Sequence, residues 1–274
     1  MNKENSRVTS IKVDTLTLIA ISIIVFTVQN VLHEFGGHGI ATIILGGEII
    51  SWSTAYLEND LDAVSNIGKQ IVSAAGPLIN ILFGLLFWVI LHFKKKTASS
   101  IDFFVWLFMT VNLLTGTGYF LFSGVTGIGD WNNVISYFNH YWLWRSGLII
   151  LGLISYLVVI WIALNTLNGY IGTSDSRNKL ALKLTLIPYL SGSIASTIGA
   201  IFNPISMVFV FTSAASSFGG ASGLAWMSQM YSTKLFPEKD YKAIVIKRNY
   251  FWIILAIVFL LIHVIIIGQS IKFK

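Results

Sequence analysis

Seven stretches of this 274-residue chain are apolar for about the thickness of a lipid bilayer. A helix needs about 20 predominantly apolar residues to cross the hydrocarbon core. The stretches lie near Thr15–Leu32, Ile71–His92, Phe103–Phe122, Gly147–Leu167, Leu184–Ile201, Ile205–Met227 and Tyr250–Gly268, and the helical pattern of the first continues towards Leu45. Only 11% of residues are charged and 55% are hydrophobic. A soluble domain carries roughly 25% charged residues, so a water-soluble globule is excluded. Disorder is excluded by the abundance of large apolar side chains. The expectation is an all-α, polytopic membrane helix bundle of about seven spans, with no room for a separate soluble domain. A signal peptide is the alternative for the first run, because Lys3, Arg7 and Lys12 precede it, but no small-residue cleavage site follows. Pro204 disfavours helix at Asn203 and so separates the fifth run from the sixth.

The net charge of +6 comes from Lys and Arg placed between the apolar runs. Nucleic-acid binding would gather them on one stripe, so no nucleic-acid partner is expected. With seven spans and a cytoplasmic N-terminus, the inside receives fourteen: Lys3, Arg7, Lys12, Lys94, Lys95, Lys96, Arg177, Lys179, Lys183, Lys234, Lys239, Lys242, Lys247 and Arg248. The outside receives four: Lys69, Arg145, Lys272 and Lys274. That bias supports the orientation and a multi-pass protein of the cell membrane, with the lipid bilayer as a partner. The chain contains no cysteine, which removes disulfides and thiol catalysis.

Ionisable residues inside a membrane are costly and need a reason. The first span ends in His33-Glu34-Phe35-Gly36-Gly37-His38-Gly39. Neutral imidazoles are good zinc ligands, and a carboxylate beside them can take a proton from water polarised by the metal. In H-E-x-x-H the histidines share a helix face at i and i+4. Here they are five apart, and on a regular helix they diverge by about 140°. Two arrangements answer this. A π-bulge near Gly36-Gly37 would absorb the extra residue and return both rings to one face. Alternatively the helix stays regular, and Glu34 and His38 form the i,i+4 ligand pair. We prefer the bulge.

A zinc site needs a third protein ligand and an open position. Asp130, in the glycine-punctuated stretch Ser123–Trp131 after the third span, is the best candidate, and His140 is the next. As an isolated residue Asp130 would read as a helix cap or turn. In the seven-span arrangement, however, the ends of the first and third spans and the start of the second meet at one face.

Together, His33-Glu34-Phe35-Gly36-Gly37-His38-Gly39 and the following Leu45-Gly46-Gly47 resemble the first motif of the site-2 protease family, as an H-E-x-x-x-H variant. These are intramembrane zinc metalloproteases. Ala74-Ala75-Gly76-Pro77-Leu78-Ile79-Asn80 resembles the family's Ala-Gly-Pro-x-x-Asn segment, and Asp130 would match its later aspartate ligand. The resemblance covers the first half of the chain. It divides the sequence into a metalloprotease-like core at 1–140, with three spans and the Asp130 loop, and additional spans at 141–274. It implies Zn2+ held by His33, His38 and Asp130, with Glu34 as catalytic base. Gly76, Pro77 and Asn80 would lie near a membrane protein or peptide substrate. Two other readings compete: a catalytically silent relative that binds a membrane partner, and a transporter in which the His and Glu side chains form a transient ion site.

The remaining polar and small residues have simpler expectations. Gln29 and Asn30 suit interhelical hydrogen bonds, and Ser191, Ala195, Gly199 and Ser216–Gly223 suit close helix packing. His92 reads as interfacial, and His263 as a hydrogen-bonded packing residue.

Overall fold

The computed structural model describes residues 12–95, 97–172, 177–203, 207–232, 235–237 and 243–273. Lys3, Arg7, Lys96, Pro204, Lys234, Lys239, Lys242 and Lys274, which entered the charge and boundary arguments, lie outside the described residues.

The first span begins at α1 (Thr15–Val31), capped by Asp14, whose carboxylate accepts from the Thr17 N–H at 2.9 Å. Without interruption it becomes a π-helix, π1 (Leu32–Gly39), and then α2 (Ile40–Ile44). Two short strands follow, β1 (Glu48–Trp52) and β2 (Leu57–Asp60). The next spans are α3 (Asn66–Phe93) and α4 (Ser100–Thr126), joined to a short α5 (Asp130–Ile135), and then α6 (Tyr141–Ile171) and α7 (Arg177–Ile201). α4 is the central helix: most of its side chains from Asp102 to Phe120 are buried. The last span is α10 (Tyr250–Leu261), continued by π3 (Ile262–Ile267), before β3 (Ile271–Lys272).

Six helices among the described residues are long and apolar enough to cross a membrane, and the expected all-α polytopic bundle is what the chain forms. The exception to seven continuous spans is the run near Ile205–Met227. It folds in pieces: α8 (Val208–Ala214), π2 (Ala215–Gly219), α9 (Gly223–Trp226) and a 3-10 turn (Met227–Ser232). Its glycines and serines weaken a regular ladder, and neighbouring hydroxyls take up the exposed carbonyls. Ser193 donates to Ser217 O, Tyr189 to Phe218 O and Tyr156 to Gly220 O, at 3.2, 3.2 and 2.9 Å. The broken segment still runs the length of α7 in reverse. It starts with Ser213 beside Ser196 and ends with the Tyr231 hydroxyl on Leu164 O, near the end of α6.

The connections sort to two ends of the bundle. At one end, Asp14 N and Ile246 N bond with Ile246 O and Lys12 O, and Val245 N donates to Ala98 O. Lys94, one of the basic residues after the second span, there pairs with the buried Asp102. At the other end β1 pairs with both β2 and β3 in a three-stranded antiparallel sheet. The loop after the first span, which carries Glu48, Glu58, Asp60 and Asp62, therefore folds as a β-ribbon that β3 extends.

Candidate metal centre

His33 and His38 both lie on π1, so the bulge is present and the five-residue spacing no longer separates them. Their Nε2 atoms are 3.3 Å apart and their rings stand edge to face, 83° apart. Gly37 lets the π-helix press against α3. A Cβ there would lie 2.6 Å from Gly76 Cα, and a Cβ on Gly76 would lie 2.8 Å from His33 Nε2. Gly76 is therefore the floor of the site, with room for a hydrogen only.

The third group arrives on the turn after α4. Gly127 and Gly129 adopt φ of 72° and 88°, a region that favours glycine. The Arg145 guanidinium donates to the carbonyls of Gly124 and Val125, at 2.6 and 2.5 Å, and holds the end of α4. Trp131 stacks on Phe120, Gln70 donates to Val134 O and Tyr141 donates to Asn132, so α5 is tied to three helices. Asp130, its first residue, places Oδ2 3.2 Å from His33 Nε2 and Oδ1 3.5 Å from His38 Nε2. One ligand atom from each of the three residues falls within 4.8 Å of the others. His140 does not join them; it starts α6 in a left-handed conformation.

Backbone carbonyls decide the protonation of both rings. Phe108 O can only accept, so the atom of Asn112 facing it at 2.9 Å is its NH2 group. Asn112 Oδ1 then accepts from Asn80 Nδ2 at 2.9 Å, which turns Asn80 Oδ1 towards His33 Nδ1 at 2.7 Å. His33 Nδ1 must therefore carry the proton. His38 Nδ1 likewise donates to Val72 O at 2.7 Å. As neutral rings, both then present Nε2 lone pairs to the centre, the arrangement that second-layer partners impose on metal-binding histidines. Asp130 Oδ2 fits this account: it is buried and no N–H is directed at it.

The centre is thus two nitrogen lone pairs and a carboxylate facing one another in a buried space. Mutual repulsion makes that arrangement unfavourable without a positive charge between them. Two imidazole nitrogens and one carboxylate are a donor set suited to zinc. Glu34, half-buried on π1, lines a polar cavity with His33, Gln29, Asn30, Thr54 and Ser216. The cavity measures about 20 Å³, room for about one water molecule.

The expected site residues divide into two layers. His33, His38 and Asp130 converge, with Glu34 beside them. Gly76 lies against both rings, and the Pro77 carbonyl backs onto Gly116 of α4. Asn80, expected near a substrate, is fully buried, and its carboxamide is taken up by His33 and Asn112. Gln29 makes the expected interhelical contact, with Nε2 3.5 Å from the same Asn80 oxygen. Asn112 and Tyr119 were not anticipated. Asn112 carried a usable signal, as a carboxamide within the apolar α4. Tyr119, whose ring stacks on His33 with centroids 4.8 Å apart, was indistinguishable from an interfacial aromatic. The chain matches no family model, no curated protein and no solved structure.

Proposed function

We propose that the protein is a membrane-embedded zinc metallopeptidase that hydrolyses peptide bonds of membrane or membrane-proximal substrates. The observation that carries this reading is the inward-facing donor set of His33, His38 and Asp130, with Glu34 on a cavity the size of one water beside it. Zinc held by these three side chains supplies Lewis acidity, which acidifies water and polarises a carbonyl. Glu34 takes the proton as the water oxygen adds to the scissile carbon. When the C–N bond breaks, Glu34 returns that proton to the departing amine. Asn80 and Asn112 hold His33 in the tautomer that can donate its Nε2 lone pair. The resemblance of the His33–Gly39 and Ala74–Asn80 segments to site-2 proteases supports the same chemistry. The Lys and Arg distribution supports a cytoplasmic N-terminus in the cell membrane.

The test is metal analysis together with cleavage of single-span reporter peptides in liposomes. The wild type should hold about one zinc per chain and cleave, because structural and catalytic zinc sites are stoichiometric. Glu34→Gln should keep the zinc and lose cleavage. Full activity in Glu34→Gln would refute the base assignment. Solute flux without peptide cleavage would favour the transporter.

A further inference from the structure

We propose that the apolar cavity between α4, α6 and π2 receives a hydrophobic side chain of the substrate next to the scissile bond, and that the Tyr119–Ser216 contact is the gate between this cavity and the metal centre. The inference rests on the metallopeptidase reading and names the substrate feature that the site selects.

The cavity holds about 290 Å³, near the lower end of small-ligand pockets. Its wall is mostly apolar, with Leu121, Phe122 and Val125 on one side and Ala215 and Gly219 on the other. Val125, near the end of α4, is 61% exposed, so the cavity is open to the surroundings of the bundle along this wall. It shares two residues, Tyr119 and Ser216, with the small polar cavity beside His33 and Glu34. The Tyr119 ring lies on His33, and its hydroxyl meets Ser216 Oγ at 3.1 Å. That contact forms the partition between the two spaces.

The chemistry of a transmembrane substrate requires such an arrangement. Its peptide bonds are closed inside a helix and must be unwound before attack. An extended segment sends successive side chains to opposite sides, so one flanking side chain is driven against the wall. Opening the gate gives that side chain an apolar space and frees two hydroxyls for the unwound backbone. The far wall is held in place, because the Tyr156 hydroxyl donates to Gly220 O and accepts from Gly223 N.

Gly219 provides the test. It lines the cavity, and a Cβ added there meets nothing within 4 Å, so the backbone admits a side chain at this position and Gly219→Trp adds bulk at the cavity wall. Gly147, also free of neighbours within 4 Å and outside the cavity lining, supplies the control variant Gly147→Trp. The probes are acetohydroxamate and its hexanoyl and phenylpropanoyl homologues, titrated into zinc-loaded protein in detergent. The hydroxamate head reads the metal centre and the arm reads the cavity. In the wild type and in Gly147→Trp, the longer arms should tighten binding by about ten-fold or more, as burial of a few methylenes predicts. Gly219→Trp should abolish that gain and leave acetohydroxamate binding unchanged. An arm effect absent from the wild type, or retained in Gly219→Trp, overturns the cavity assignment. Failure of acetohydroxamate to bind any variant overturns the zinc reading itself.

Discussion

His33 and His263 are both buried histidines on π-helical turns of apolar spans, 3% and 1% exposed, but their surroundings are opposite. His33 has its Nδ1 fixed by a hydrogen-bond chain that ends at Phe108 O, and its Nε2 meets His38 and Asp130. His263 packs against Gly199 with the Ser196 backbone as its polar neighbour, a contact short of regular hydrogen-bond geometry. Thr54 borders both places, lining the cavity at His33 and touching the packing beside Gly199. The contrast separates burial from function. A histidine in an apolar helix becomes a candidate ligand when other groups fix its tautomer and aim its lone pair; burial alone leaves an unpaired polar group.

The most severe way to break the comparison is to remove one member of the converging set. His33→Ala and Asp130→Asn should each reduce zinc from about one per chain to none measurable, since three protein ligands are the minimum for such sites. His263→Ala should retain the metal in full. Equal zinc content in all three proteins would erase the distinction between the two histidines.

The next test addresses the second layer. Asn80→Leu keeps the bulk but removes the acceptor for His33 Nδ1, and partners of this kind are worth about 10- to 100-fold in metal affinity. Asn112→Leu acts one bond further away and should cost less. Competition with a graded series of zinc chelators measures both. An Asn112 effect larger than that of Asn80 would mean the hydrogen-bond chain does not run as the carbonyl of Phe108 dictates.

These variants also show why one part of the molecule was readable from sequence and another was not. Span positions follow from local composition, because apolar length is a property of contiguous residues. The bulge at Leu32–Gly39 was legible because two histidines and a glutamate in an apolar helix demand a shared purpose, and their spacing allows few geometries. Asp130 was legible only through topology, which brought the ends of two spans together. Asn80 stands out in the sequence, but its hydrogen-bond role does not: its partner, Asn112, lies 32 residues away, and nothing in either local segment says that they touch. The break points of the segment after α7 are not legible, because hydropathy shows only an apolar run and does not register carbonyls rescued by Ser193, Tyr189 and Tyr156 on other helices. The strand β3 was invisible because its partner β1 is at the opposite end of the sequence.

A milder test comes from His263. An unpaired buried polar group costs about 1–3 kcal/mol, and replacement by an apolar residue of similar shape can recover part of that. His263→Leu should therefore unfold at the same temperature as wild type or a few degrees higher in detergent, with zinc content unchanged. A marked loss of stability would show that the contact of the imidazole with the Ser196 backbone is a full hydrogen bond, and His263 would then belong with His33.

The smallest effect is expected at Asp14, a carboxylate at the start of α1 whose charged partner, Arg248, faces solvent, and which is remote from both histidines in the fold. Partial burial pushes its carboxyl up, but hydrogen bonds from Thr17 and the Arg248 guanidinium outweigh this and hold it below its ordinary value. A depressed folded-state value stabilises the fold above the unfolded-state value, about 4 for Asp, and that contribution fades as pH falls through the folded-state value. The Arg248 side chain is 55% exposed, so solvent screening keeps the contribution of the pair small. Asn remains a good N-cap, which makes Asp14→Asn a test of the charge alone. Thermal unfolding of the two proteins should differ slightly at pH 7 and converge as the pH is lowered towards 3. Taking the difference cancels every group the two proteins share, including protonation of the histidines and loss of metal. Zinc content at pH 7 should be identical, because Asp14 reaches neither the Asn80–Asn112 chain nor Asp130. A difference that persists at pH 3 would show that the capping geometry, and not the charge, is what Asp14 contributes.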